Sequence, residues 1–289
     1  MDSSHEEPLS RFYESQRLRL HYAVWNGSGG PPLLLIHGSR EHCRSWDFVA
    51  RALKGRYTIY APDLRGHGDS EWATGGCYGI PECVADIAAL ADIIGSPLAL
   101  MGCSRGGNIA LQYAGIFPER VSKVVAIEGL GRPVAAHQTD GMAPAERMRH
   151  WIDSRRSAER RQLRRHASLE EATRRITEVD SRVRPDIARH LALHGVRRNE
   201  DGTYSWKFDN YLLAGGPHPD GGQELWANIR APVLLVSGSE SWSSHPEWQD
   251  RGRVIPFRRS VIIEGAGHWV HHDQLGRFLE VVEEFLTEQ

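Results

Sequence analysis

Residues 98–115 read LALMGCSRGGNIALQYAG. The first six are an apolar run of the length of a buried strand, and a helical stretch from Arg105 to Gly115 follows with no loop between. At the junction stands Gly102-Cys103-Ser104-Arg105-Gly106, a G-x-S-x-G. A strand that enters a helix through this pattern makes a sharp, strained turn that lifts the serine oxygen above the sheet. Glycines flank the serine because a side chain at either place would meet neighbouring backbone. The helix N-terminus beneath supplies positive potential for developing negative charge. Ser104 is thereby the candidate nucleophile.

Outward from this junction, short apolar runs alternate with longer helical patterns. LLLIHG from Leu33, YTIYAPD from Tyr57, KVVAIEG from Lys123, PVLLVSG from Pro232 and SVIIEGAGH from Ser260 read as further strands. RLRLHYAVW at 17–25 alternates like a half-exposed antiparallel edge strand, and NGSGGPP after it is a turn. Helical spacing marks residues 81–94 and 273–287, the latter with Leu275, Phe278, Leu279, Val282 and Phe285 on one face. The fold class expected is α/β: a mostly parallel sheet of about eight strands with helices on both faces. Residues 131–222 interrupt this rhythm without a convincing strand. They are expected to form a helical cap inserted into a core made of residues 1–130 and 223–289.

Composition narrows the function classes. The 289 residues are 40% hydrophobic and 25% charged with a formal charge of −2, so nothing suggests nucleic-acid binding. No apolar run reaches the length of a membrane span. The polar, acidic start MDSSHEEPLSRF does not resemble a secretory signal. Cys43, Cys77, Cys83 and Cys103 show neither CxxC pairing nor metal-ligand spacing. Reduced thiols in a cytoplasmic protein that needs no metal or cofactor are expected, with a small molecule as the only partner and no reading of oligomeric state.

A nucleophilic serine needs a base, an acid and an oxyanion hole. In the chain order that accompanies this turn the histidine comes last. His268, in GAGHWVHHDQ after the final strand, fits that place, and Gly265, Ala266 and Gly267 let its loop pass close to Ser104. His271 and His272 read as surface or packing residues. Oxyanion donors are expected from the backbone amides of Arg105 and Ser39, with His37 bracing the loop. Two carboxylates compete for the acid. Glu128 closes an apolar strand just before Gly129, where burial is costly unless hydrogen bonds satisfy it. A histidine N–H would do so, which puts Glu128 first and Glu240 second.

LLLIHG, APDLRGHGDS at 61–70, MGCSRGGNIALQYAGIFPERV at 101–121 and GAGHWVHHDQ together resemble the α/β-hydrolase superfamily. That resemblance spans about residue 17 to the C-terminus. It implies a serine hydrolase for a small carboxylic ester or lactone, the alternatives being C–C bond hydrolysis of a diketone and a ligand-binding receptor on the same fold. The family's usual acid follows the strand PVLLVSG in a G-x-x-D pattern, and Ser241 stands where that Asp is expected. IEGLG at 127–131 resembles serine-hydrolase-like proteins and related bacterial hydrolases; haloalkane dehalogenases and certain lactonases place the acid after this strand. Haloalkane dehalogenases and epoxide hydrolases use an Asp nucleophile, which Ser104 is not. In DLRGHGDS, Asp63 is expected to be structural.

The interrupting segment holds 16 Arg against 10 Asp or Glu between Arg132 and Glu200. Solvated, salt-bridged helix faces account for most of such a pattern. Its excess of positive charge also suits an anionic substrate. Trp46, Trp242 and Trp269 flank the expected oxyanion, acid and base loops, and Trp206 ends the insertion. An aromatic-lined pocket is expected from these four.

Overall fold

A computed structural model describes residues 7–25, 29–131, 141–213, 222–242 and 250–288. The strands are β1 (Leu9–Ser15), β2 (Leu18–Trp25), β3 (Pro32–Ile36), β4 (Thr58–Pro62), β5 (Leu98–Cys103), β6 (Val121–Ile127), β7 (Arg165–His166), β8 (Val196–Arg198), β9 (Tyr204–Trp206), β10 (Val233–Gly238) and β11 (Arg258–Ile263). The helices used below are α1 (Asp47–Leu53), α2 (Ile80–Ile94), α3 (Arg105–Ile116), α4 (Pro144–Arg160), α5 (Leu169–Val179), α6 (Pro185–Gly195), α7 (Gln223–Trp226), α8 (Val270–Asp273) and α9 (Leu275–Thr287).

Eight strands form one sheet in the order β1-β2-β4-β3-β5-β6-β10-β11. β2 runs antiparallel to both β1 and β4, and the pairs from β4 to β11 are parallel. The continuous apolar runs follow from burial on both faces. Leu34, Leu100, Val124 and Leu235 pack on one side with α2 and α3. Their chain neighbours Leu35, Met101, Val125 and Leu234 pack on the other side with α1 and α9. Each fully buried Leu or Val contributes about 2 kcal/mol. The central strands are thereby the most firmly held part of the molecule, and β3, β5, β6 and β10 all end at one edge of it.

The hairpin β1–β2 corrects the expectation that residues 17–25 form the edge. Leu9–Ser15 lies outside them, with Ser15 paired to Leu18 across a two-residue turn. Gln16 and Arg17 both have positive φ, 48° and 67°. This is the backbone of a primed hairpin turn, built without the Asn or Gly that signals one in sequence. The last helical stretch is also divided, α8 carrying His271 and His272 in the core and α9 following.

The segment between β6 and β10 is helical in α4, α5 and α6. Contrary to the strand-free expectation, it also contains the three-stranded antiparallel sheet β7-β9-β8. Strands of two or three residues give no periodicity to read. The segment has its own apolar cluster around Ile176, Ile187, Leu191 and Val196, against which Phe48 and Trp269 of the flanking sequence pack. Polar contacts hold it to the rest: His42 Nε2 meets the Leu191 carbonyl at 3.0 Å, Lys207 pairs with Asp69 at 2.7 Å, and His190 meets Asp47 at 3.2 Å. The expected boundaries near 131 and 222 adjoin residues 132–140 and 214–221, which lie outside the described residues. No helix among the described residues is long and apolar enough to cross a membrane.

Asp63, just after β4, fixes the loops beside β3. Its buried carboxylate accepts from His21 Nδ1 at 2.8 Å, from the Cys43 amide at 2.7 Å and from the Asp69 amide at 2.9 Å. Burial alone would raise its pKa, but the hydrogen bond and charge of His21 and the Asp69 amide outweigh it and hold the pKa below the usual range. A depressed folded pKa makes Asp63 stabilising above the unfolded carboxylate's value of about 4, and that contribution is lost as pH falls through the folded value. Asp63→Asn is expected to lower unfolding free energy by about 3 kcal/mol at pH 7. In urea titrations the gap between wild type and variant should narrow below about pH 4; a gap that stays constant to pH 3 refutes this account.

Candidate active site

The turn expected at Ser104 is present. Ser104 sits between β5 and α3 with φ 52° and ψ −116°, a conformation that costs a non-glycine residue about 1–3 kcal/mol. Its amide donates to the Ile127 carbonyl at 2.7 Å, and its carbonyl accepts from Asn108 in the first turn of α3. A Cβ on Gly106 would lie 2.1 Å from the Ile36 carbonyl oxygen, and one on Gly102 would lie 2.3 Å from Gly106. Both glycines are therefore fixed by close backbone approach.

One strand away, Glu128 follows β6, also at positive φ (53°). Its side chain is fully buried. One carboxylate oxygen accepts from the Gly238 amide at 2.9 Å, and the other from Ser241 Oγ at 2.7 Å. His268 Nδ1 lies 3.3 Å from that second oxygen. Catalytic hydrogen bonds in ligand-free sites are often long and tighten on substrate binding. Glu240, the competing acid, is exposed and is engaged by Arg182 at 2.8 and 2.9 Å. Ser241 occupies the place of the missing Asp and donates its hydroxyl to Glu128.

The loop after β3 carries the remaining polar groups. His37 accepts the Leu64 N–H at Nε2 (2.9 Å), so its proton is on Nδ1 and is donated to the Gly38 carbonyl at 2.7 Å. Burial lowers the pKa of His37 and keeps the ring neutral, a brace as expected. Glu41, overlooked in the sequence, is buried and accepts from the Gly38 amide at 3.2 Å and from Trp269 Nε1 at 2.7 Å. It ties this loop to the residue after His268. Burial raises its pKa, opposed by the Gly38 amide, the charge of His268 and the Trp269 N–H. No local sequence pattern marks Glu41, because the Trp269 partner comes only from folding. The amides of Ser39 and Arg105 meet no acceptor among the described residues.

Ser104 and His268 line one cavity of about 810 Å³. Ile176, Leu191, Trp206 and Phe208 line it from the inserted segment, and Trp242 and Trp269 from the other side. Trp242 stacks on His268 at 5.0 Å between ring centroids. Trp46 does not line the cavity: it is fully buried and stacks on His271 at 4.6 Å, a correction to its expected place in the pocket wall. A position next to a site loop does not say which way a large apolar side chain turns, and the core takes this one.

Several side chains could offer metal donors. Asp47, His190 and His194 bring ligand atoms within 4.8 Å of one another. Asp47 already carries the guanidinium groups of Arg44 (2.7 Å) and Arg51 (3.4 Å), so a cation there would meet two positive neighbours. These residues do not fit a metal site.

Comparison with known proteins places the chain in a family. An esterase of Mycobacterium tuberculosis, Rv0045c, is 26% identical over 95% of this chain and 89% of its own. An sn-1-specific diacylglycerol lipase, ABHD11, of Xenopus laevis is 27% identical over 92% of this chain and 83% of its own. Among solved structures, the thioesterase domain from the curacin biosynthetic pathway superposes with a TM-score of 0.85 at 22% identity, covering 96% of this chain and all of that one. Residues 33–281 match the family model described as the alpha/beta hydrolase family, and the chain belongs to that family.

Proposed function

We propose that the protein is a serine hydrolase that cleaves a small carboxylic ester, lactones included, through an acyl-enzyme. The observation that carries this reading is the buried Glu128 carboxylate against His268 Nδ1, in a cavity that His268 shares with the strained Ser104. Two relatives named an esterase and a diacylglycerol lipase, each matched over more than four-fifths of its length, support it. In this mechanism Ser104 Oγ attacks the carbonyl carbon while His268 Nε2 takes its proton. Glu128 holds the imidazole with Nε2 facing the serine and stabilises the cation formed. The amides of Ser39 and Arg105 receive the oxyanion, each worth about 3–4 kcal/mol. His268 then protonates the leaving group, and water attacks the acyl-serine with His268 again as base. The inserted segment acts as a cap, running between about 131 and 222, that closes the cavity from above. No step calls on a metal or an organic cofactor.

Two experiments test the assignment. Incubation with a fluorophosphonate followed by intact mass measurement is expected to show one adduct on the wild type, none on Ser104→Ala, strongly slowed labelling on Glu128→Gln and near-normal labelling on Glu240→Gln. An unlabelled wild type would replace the hydrolase with a binding protein, and loss in Glu240→Gln would return the acid to the usual loop. Glu128→Gln is expected to lower kcat on 4-nitrophenyl esters about 10³–10⁴-fold, the scale for neutralising a triad acid.

Because Ser241 Oγ already touches the oxygen that faces His268, an aspartate there can take over. Glu128→Gln/Ser241→Asp is expected to recover at least about tenfold of the lost kcat. No recovery in a double variant that melts like the single one would show that residue 241 cannot reach the imidazole.

A further inference from the structure

Three guanidinium groups and four carboxylates line the cavity, and all but one of the guanidinium groups are paired. Arg40, Arg175 and Arg182 line it, as do Glu178, Asp180 and Glu240. Arg175 is paired with Glu178 at 3.0 Å, and Arg182 with Glu240 at 2.8 Å and Asp180 at 3.5 Å. Glu41 is held by the Gly38 amide and Trp269, and Glu128 by its own partners. That leaves Arg40, which has no carboxylate partner among the described residues. Phe208 lies 6.0 Å beneath its guanidinium. Its pKa is lowered by burial and then by the charges of Arg161 and Arg175. The charges of Arg161 and Arg175 thus act on Arg40 without a carboxylate paired to it, and an anion bound there would offset them.

Arg40 is also held in place by its backbone. Its φ is 65°, left-handed and rare for a residue that is not glycine. Such conformations cluster where function fixes them. Ser104 and Glu128 share this feature at the ends of β5 and β6, and Arg40 lies four residues beyond β3 at the same sheet edge. A Cβ built on Gly38 would lie 3.4 Å from Ser104 Cβ. Arg40 Cα is at most about 7 Å further along the chain.

We propose that Arg40 recognises a carboxylate on the substrate, so that the preferred esters are monoanions such as half-esters of dicarboxylic acids. This rests on the ester-hydrolase reading and deepens it. A guanidinium presents two parallel N–H donors that match a carboxylate. The aromatic and aliphatic wall of the cavity accepts the carbon chain between the carboxylate and the scissile carbonyl.

The test compares 4-nitrophenyl hemiglutarate and 4-carboxyphenyl pentanoate, which carry the charge on the acyl and leaving-group sides, with neutral 4-nitrophenyl and phenyl pentanoates. At least one anionic ester is expected to exceed its neutral counterpart in kcat/KM. Arg40→Gln should lower that ratio about 10–100-fold, the range of one hydrogen-bonded charge pair. Arg40→Glu should lower it further, and added salt should erode it in the wild type only. A ratio that Arg40→Gln leaves unchanged, or a 4-phosphonobutanoyl ester cleaved faster than the hemiglutarate, overturns the proposal.

Binding is read separately by calorimetry with glutarate on Ser104→Ala and on Ser104→Ala/Arg40→Gln. Glutarate bound by the first and at least tenfold more weakly by the second supports the assignment, even if every ester proves inert and the hydrolase reading fails. Esters cleaved without regard to charge, with no glutarate bound, would leave the hydrolase standing and remove Arg40 from recognition.

Discussion

The arrangement of the site depends on the satisfaction of one buried charge. A carboxylate at the end of β6, with no exposed side-chain surface, is stable only if donors surround it. The Gly238 amide, the Ser241 hydroxyl and His268 Nδ1 meet that need from two other chain segments. The loops after β10 and β11 are thereby fixed relative to β6, which itself lies between β5 and β10. The amide of Ser104 reaches the carbonyl of Ile127, next to Glu128, so Ser104 and Glu128 are joined through the backbone as well. Left-handed conformations at Arg40, Ser104 and Glu128 place strain at one edge of the sheet. Parallel strands buried on both faces are rigid enough to hold it there.

With Glu128 at the end of β6 as the proposed acid, the loop after β10 is free for other contacts. Ser241 becomes a donor that completes the shell around Glu128. Glu240 is released to pair with Arg182 of the inserted segment, and Trp242 stacks on the imidazole. The Arg182–Glu240 pair is exposed on both sides and is worth under about 1 kcal/mol. The inserted segment is held more firmly by groups away from solvent, namely His42 against the Leu191 carbonyl and the apolar contacts of Phe48 and Trp269 with its core. Solvent therefore sees a weak polar latch at the cavity mouth and a stronger apolar seat behind it.

What the sequence revealed follows from the range of each interaction. The parallel strands and the Ser104 turn were legible because their signals are local: continuous apolar runs, and glycines demanded by backbone only a few residues away. Glu128 was legible as an acid placed where burial would be costly without a partner. The β1–β2 hairpin was hidden because Gln16 and Arg17 adopt a turn usually marked by Asn or Gly. β7, β8 and β9 are too short to show alternation. Glu41, Arg40 and the inward turn of Trp46 depend on partners 168 to 228 residues distant, or on the lack of one. No pattern around those residues carries that information.

Glu41 shows how far the site extends beyond three residues. Both its carboxylate oxygens face N–H donors, which favours the ionised form against the burial that opposes it. The charge of His268 also acts on it favourably, so Glu41 and Glu128 both belong to the field around the imidazole. In the proposed mechanism the proton of Ser104 moves to His268, and the new cation forms among carboxylates already oriented by fixed donors. Little reorganisation is then required at the moment of reaction, which is the physical basis of electrostatic preorganisation. The same Glu41 pins Gly38, beside the amide of Ser39. The loops of His268 and Ser39 are therefore positioned by one group, and a displacement of either is felt by the other.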